Sequence, residues 1–171
     1  MKAHYAIYDS FGEIVKIYSG SQISIQCQDN EKYVLLNNTY LQLSNLQENY
    51  WYDNSSSAFK QKTEVDLNML SEVNQNATVS FTVPSGSYAI VTGVTDKLTG
   101  TVNLDTSSIK YVDIYLFGQH KYTNRVAIVS YVEKRKKEYP SVIDQLDELY
   151  HNGIDGWKAK IKEVKDKYPK S

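Results

Sequence analysis

The chain has 171 residues, 41% of them apolar, which is enough for a real core in one ordinary domain or two small ones and argues against disorder. Nineteen Lys and Arg against 20 Asp and Glu leave a net charge of −1, so no whole-molecule field draws the chain to nucleic acid. A single cysteine, Cys27, excludes an internal disulfide framework and a zinc site built on Cys pairs, and fits a reducing cytosol.

The start Met1-Lys2-Ala3-His4 has no apolar leader core, and no window approaches the ~18 apolar residues of a membrane span, so the chain reads as soluble. The Asn-x-Ser/Thr triplets at Asn37, Asn54 and Asn76 are read as chance in a chain this rich in Asn and Ser. Fifteen tyrosines among many Ser, Thr, Asn and Gln describe strands with a polar outer face, a surface suited to protein contacts.

Residues 1–60 read as an N-terminal β module of short strands and turns. Tyr5-Ala6-Ile7-Tyr8 and Glu13-Ile14-Val15-Lys16-Ile17-Tyr18 flank the turn Asp9-Ser10-Phe11-Gly12, a hairpin closed by Ser19-Gly20-Ser21. Further strands are expected at Ile23–Cys27, with Cys27 a small buried hydrophobe, and at Lys32–Leu36 and Tyr40–Leu43. Tyr50-Trp51-Tyr52 follows, and behind it Asp53-Asn54-Ser55-Ser56-Ser57, without an apolar residue, reads as a loop or short linker.

Residues 61–130 carry sharper alternation. Val65, Leu67 and Met69 face one way with Glu64, Asp66 and Asn68 the other, and Ala77, Val79, Phe81 and Val83 alternate with Thr78, Ser80 and Thr82. Pro84-Ser85-Gly86 turns the chain into Ser87–Thr92, Thr99-Gly100 leads to Thr101–Leu104, and Tyr111–Phe117 and Arg125–Tyr131 supply the last strands. Strands spaced by roughly 8 to 12 residues predict a small immunoglobulin-like β-sandwich, although the Cys-Trp-Cys hallmark of antibody domains is absent and another small sandwich fits nearly as well. The fold class is therefore mainly β, with a helical tail.

That tail is residues 131–171, where the balance changes: 9 basic and 12 acidic residues up to 130 give way to 10 basic and 8 acidic beyond it. Val132–Glu138 is polar and helix-prone and ends at Tyr139-Pro140. Ser141 followed by Asp144 has capping-box spacing, the apolar stripe Ile143, Leu146, Leu149, Tyr150 follows, and Asn152-Gly153 ends the helix. Asp155 caps a second helix with Trp157, Ile161, Val164 and Tyr168 on one face, so the tail is a helical hairpin. Helices this short are marginal in water, and their stripes need covering by each other, by the β part or by a partner. The partner-binding residues predicted are Tyr139, Ile143, Leu146, Leu149, Tyr150, Trp157, Ile161 and Val164.

No catalytic constellation emerges, and no metal or cofactor site is expected. His4, His120 and His151 sit in separate segments, eight glycines stand singly at turns, and no nucleophile elbow or phosphate loop occurs. Lys134-Arg135-Lys136-Lys137, between Glu133 and Glu138, reads as the solvated face of a helix and not as a phosphate clamp. Tyr50-Trp51-Tyr52 could stack on a glycan, but packing is the simpler reading.

The tail motifs Tyr139-Pro140-Ser141, Gln145-Leu146-Asp147, Tyr150, Trp157-Lys158 and Lys167-Tyr168-Pro169-Lys170 resemble a tail found on many small proteins of tailed bacteriophages. His4–Asp9 with Gly12-Glu13-Ile14 is similar to the opening hairpin of such chains, and Val83-Pro84-Ser85-Gly86-Ser87-Tyr88 to their Ig-like module. The resemblance implies a non-enzymatic structural or tail-fibre-associated protein, placed in the virion or acting in the host cytoplasm during assembly. Its expected partners are other phage structural proteins of the tail, collar or fibre. A homo-oligomer is also expected, since closed rings are the usual symmetric solution. The runners-up are a tail-fibre assembly chaperone absent from the mature particle and a receptor- or glycan-binding protein.

Overall fold

The computed structural model describes residues 2–41 and 45–170. It is mainly β, with several sheets and a long C-terminal helical element. By density of internal contacts the chain divides into two compact units, one drawn from residues 1–69, 80–103 and 113–125 and the other from 70–79, 104–112 and 126–171.

In the first unit the predicted hairpin forms. Strand β1 (Ala3–Tyr8) pairs antiparallel with β2 (Ile14–Gly20), and β3 (Lys32–Leu36) pairs antiparallel on the other side of β1. The turn between β1 and β2 is built on Asp9, whose Oδ1 accepts from the N–H groups of Phe11 and Glu13 at 2.9 and 3.0 Å. Gly12 completes it at φ +77, and a Cβ there would stand 2.2 Å from the Tyr52 carbonyl oxygen, so no larger residue fits. Strand β4 (Tyr50–Asp53) then pairs with β5 (Ala58–Gln61), and Tyr52 N–H donates to Gly12 O at 2.8 Å. The expected linker at 53–57 is the turn of this second hairpin, pinned by Asp53 accepting from Ser55 and Ser56.

Three expectations in this stretch differ from the structure. Gln22–Ser24 is a 3₁₀ turn with Ile23 97% exposed, and neither a strand at Ile23–Cys27 nor a buried Cys27 is found: the cysteine is exposed. Ser and Gln alternating with two isoleucines supply too little apolar surface to hold a strand against a sheet. Tyr40 and Leu41 lie in a helical turn, α1 (Asn38–Leu41), which Asn37 starts by accepting from Tyr40 N–H; Leu43 lies outside the described residues. A second turn of helix, α2 (Leu46–Asn49), buries Leu46 with Ala6, Ile14 and Leu36, and Val34, Tyr40, Tyr50 and Phe59 pack around that core.

Downstream the strands are β6 (Thr63–Glu64), β7 (Glu72–Asn74), β8 (Thr78–Thr82), β9 (Ser87–Val91), β10 (Thr101–Asp105), β11 (Tyr111–Gly118) and β12 (His120–Val129). Alternation reads correctly in β8, where Val79 and Phe81 are buried between exposed Thr78, Ser80 and Thr82. Val65, Leu67 and Met69 are half-buried in alternation, yet the strand stops at Glu64, where pairing with β12 ends. The last strand begins at His120 and ends at Val129, leaving Tyr131 to open a helix. β8 pairs with β10 in one sheet, while β9, β11 and β12 run in order in another, with β6 and β7 parallel at the β12 edge, the strand order expected of an immunoglobulin-like module.

In the second unit Thr106 is fully buried and its hydroxyl donates to Ala77 O at 2.5 Å. Helices α3 (Tyr131–Glu138) and α4 (Val142–Lys167) follow. Among the described residues no helix is long and apolar enough to cross a membrane.

Candidate docking site on the C-terminal hairpin

Local chemistry sets each bend of the tail. Ser130 caps α3 through a capping box: its hydroxyl accepts from Glu133 N–H, while the Glu133 carboxylate accepts from Ser130 N–H. The Ser130 N–H first, and then the Ser130 hydroxyl, which also donates to that carboxylate at 3.1 Å, hold Glu133 below the usual glutamate range. Tyr139 ends α3 in an extended conformation, as expected of a residue before proline. Ser141 then caps α4 by accepting from Asp144 N–H at 3.1 Å.

Helix α4 is broken at Gly153, whose φ of 67 and ψ of −172 are non-helical. The break reverses the chain, giving an outgoing arm, 142–152, and a returning arm, 154–167. Trp157 Nε1–H of the returning arm donates to Gln145 Oε1 of the outgoing arm at 3.1 Å. The returning arm ends where the outgoing one began. Arg135 donates to the carbonyl oxygens of Tyr168 and Lys165 at 2.8 and 3.3 Å, and Lys167 Nζ sits 2.7 Å from the Glu138 carboxylate. Tyr168 hydroxyl donates to the same carboxylate at 2.6 Å. Lys167 first, and Tyr168 second, hold Glu138 below the usual carboxylate range; the same clasp raises Lys167. Beside this clasp lies a cavity of about 170 Å³ lined by Asn74, Val129, Tyr131, Lys134 and Tyr168.

The eight residues predicted to bind a partner fall into two groups. Val164 is buried at 9% exposure, and Tyr139, Trp157 and Ile161 are half-buried, so these four are at least partly covered within the chain. Ile143 at 72%, Leu146 at 60%, Leu149 at 40% and Tyr150 at 84% are exposed. Val142 and Ile154 are exposed too; Val142 stands one helical turn before Leu146 and extends the same stripe. Gln145, Glu148 and Asn152 take the side of the outgoing arm turned to the fold-back, as the Gln145–Trp157 bond and the closeness of Gly156 to Asn152 and Glu148 show. The apolar stripe is therefore displaced from the seam between the arms and stays bare.

The other sequence candidates lie elsewhere. Tyr52 is buried, with its ring 4.6 Å from that of Tyr8 and 5.1 Å from that of Phe59, and Tyr50 packs on the core around Leu46. Tyr50 and Tyr52 are thus packing, while Trp51 is half-buried with Lys60 Nζ 5.9 Å from its ring centroid. His4 and His120 bond to Ser19 and Ser87, and His151 stacks edge-on against Tyr150. Among the described residues no group of three or more His, Cys, Asp or Glu could hold a metal ion.

A cluster that the sequence did not disclose lies in the first unit. Glu13 and Lys62, 49 residues apart, are both buried, with Nζ 2.7 Å from Oε1; Glu13 Oε2 also accepts from Gly118 N–H at 2.6 Å, and Lys62 donates to Gln47 O. Burial pushes the Glu13 carboxyl up, against the lowering effect of those two bonds. Beside it, Lys97 pairs with Asp9 at 2.5 Å and lies 4.2 Å from the Tyr88 ring centroid. Burial first, then the charges of Asp9 and Glu13, push the Tyr88 hydroxyl up. Every buried side-chain polar atom among the described residues has a hydrogen-bond partner, so this network is satisfied from within and reads as structural.

Fold and site together describe a β-rich protein that presents a bare helical stripe. Comparison with protein-family models, with curated proteins and with solved structures gives no match.

Proposed function

We propose that this chain is a non-enzymatic structural component of a tailed-bacteriophage particle, in the tail, collar or fibre-attachment region, with its β units as the body and its C-terminal hairpin as the docking element. One observation carries the docking part: the outgoing arm leaves Ile143, Leu146 and Tyr150 in water while the returning arm is seated. Burying side chains of this kind stabilises by roughly 1.5–3 kcal/mol each, so several together make an interface worth forming. The phage part rests on the likeness of Tyr139-Pro140-Ser141, Gln145-Leu146-Asp147 and Lys167-Tyr168-Pro169-Lys170 to the tails of such proteins. The capped, reversed helices that these motifs form are consistent with a common tail module.

The test is particle incorporation of Ile143→Asp and Leu146→Asp. Both residues are exposed, so the fold should survive while docking is lost; normal incorporation of both variants overturns the proposal. Mass spectrometry of purified particles then decides the role. Stoichiometric copies support a structural part, and absence from particles whose assembly still requires the chain supports a fibre-assembly chaperone.

A further inference from the structure

We infer that the bare stripe of the outgoing arm is covered by the returning arm of a second copy of this chain, the two hairpins pairing about a two-fold axis. The inference rests on the docking reading above and names its first partner. Charge supplies the argument. Residues 139–157 carry Asp144, Asp147, Glu148 and Asp155 with no Lys or Arg, whereas 158–170 carry six lysines against Glu163 and Asp166. The hairpin is split into a −4 segment and a +4 segment.

Most of those charges are not spent within one hairpin: among the described residues no salt bridge joins the two arms, and of the six lysines only Lys162 and Lys167 are in salt bridges, with Asp166 and Glu138. Asp144 bonds only its own cap, and Lys162 pairs within its own arm with Asp166. Stripe-to-stripe packing of two copies would set Asp144 and Asp147 of each against the other with no cation between them. Packing against the other copy's returning arm does the reverse. Its lysine stems lie over Ile143, Leu146 and Tyr150, and the ammonium groups reach the carboxylates along the edge. Two-fold symmetry repeats the contact and closes the assembly.

The experiment is the molar mass of the full chain by light scattering and sedimentation at high micromolar concentration, in low and high salt. The expected result is a dimer that weakens with salt, and about tenfold or more with Leu146→Asp. Asp147→Lys and Lys160→Glu should each weaken it, and the double variant should regain affinity. Circular dichroism confirms that each variant folds. A monomer in low salt, a dimer indifferent to these substitutions, or one that tightens with salt as stripe-to-stripe packing would, overturns the inference. A monomeric chain whose Leu146→Asp variant still fails to enter particles overturns this pairing alone and leaves the docking proposal standing.

Discussion

Trp157 donates its indole N–H to the Gln145 side-chain oxygen across 12 residues of chain. In an unbroken helix those positions stand about 18 Å apart along the axis, so the 3.1 Å contact measures a full reversal. Gly153 makes that reversal, with a backbone conformation that only glycine adopts freely.

Gly153→Ala should therefore strain the turn even though nothing lies within 4 Å of the new methyl group. The cost is purely backbone, about 1–3 kcal/mol. It is read as a lower midpoint for the helical transition in thermal unfolding, with a shift in Trp157 fluorescence as the indole leaves Gln145. An unchanged midpoint and spectrum would mean that the arms separate freely in solution.

The two stripes of the hairpin should respond differently to substitution. Ile143→Ser removes a side chain that is already 72% exposed and should change unfolding free energy by no more than about 0.5 kcal/mol. Val164→Ala empties a buried position and should cost roughly 1–3 kcal/mol. Urea titration of the two variants at concentrations low enough to keep the chain monomeric checks the contrast, and equal costs there would mean that the outgoing stripe is covered within the monomer.

What the sequence discloses depends on how local the cause is. The Ser141 cap, the turn at Gly153 and the buried face of β8 are each set by residues within a few positions, and all three are legible in spacing. Periodicity marks Leu146 and Val164 alike as apolar face, but it does not say which of the two meets a neighbour. That is why the predicted contact residues divide into four that are covered or half-covered within the chain and four that are exposed. The alternation at Ile23–Cys27 misleads because Ser and Gln around two isoleucines bring too little apolar surface to hold a strand against a sheet. Glu13 and Lys62 are invisible in the sequence for a third reason, since nothing local links a turn residue to a lysine 49 positions on.

Acid should act in opposite senses on the two units. Glu138 is held below its usual range by Lys167 and Tyr168, so its contribution is present above the ordinary glutamate pKa and is lost as pH falls through the lowered folded value. Glu13 is pushed up by burial, so its contribution is present below the ordinary value and is lost as pH rises through the raised folded one. On acidification, amide exchange should speed up around Arg135 and Tyr168 while the turn at Asp9–Glu13 keeps its protection. Glu138→Gln should abolish the acid dependence at the clasp and leave the turn unaffected; the reverse order of opening would contradict both assignments.

The strongest single-site effect on stability should come from Lys62. Its side chain is 3% exposed and that of Glu13 is 7%, so Lys62→Met leaves a carboxylate in the interior with only the Gly118 N–H for company. Removing one partner of a buried pair costs about 3–5 kcal/mol, whereas replacing both with apolar groups of similar volume is often neutral or better. Lys62→Met should therefore unfold at much lower urea at neutral pH, and Glu13→Leu with Lys62→Met should recover most of the loss. The single variant should also gain stability as pH falls, since protonating Glu13 removes the uncompensated charge, and the double variant should lack that response. A loss below about 1 kcal/mol for Lys62→Met, with no pH dependence, would place the pair in contact with water.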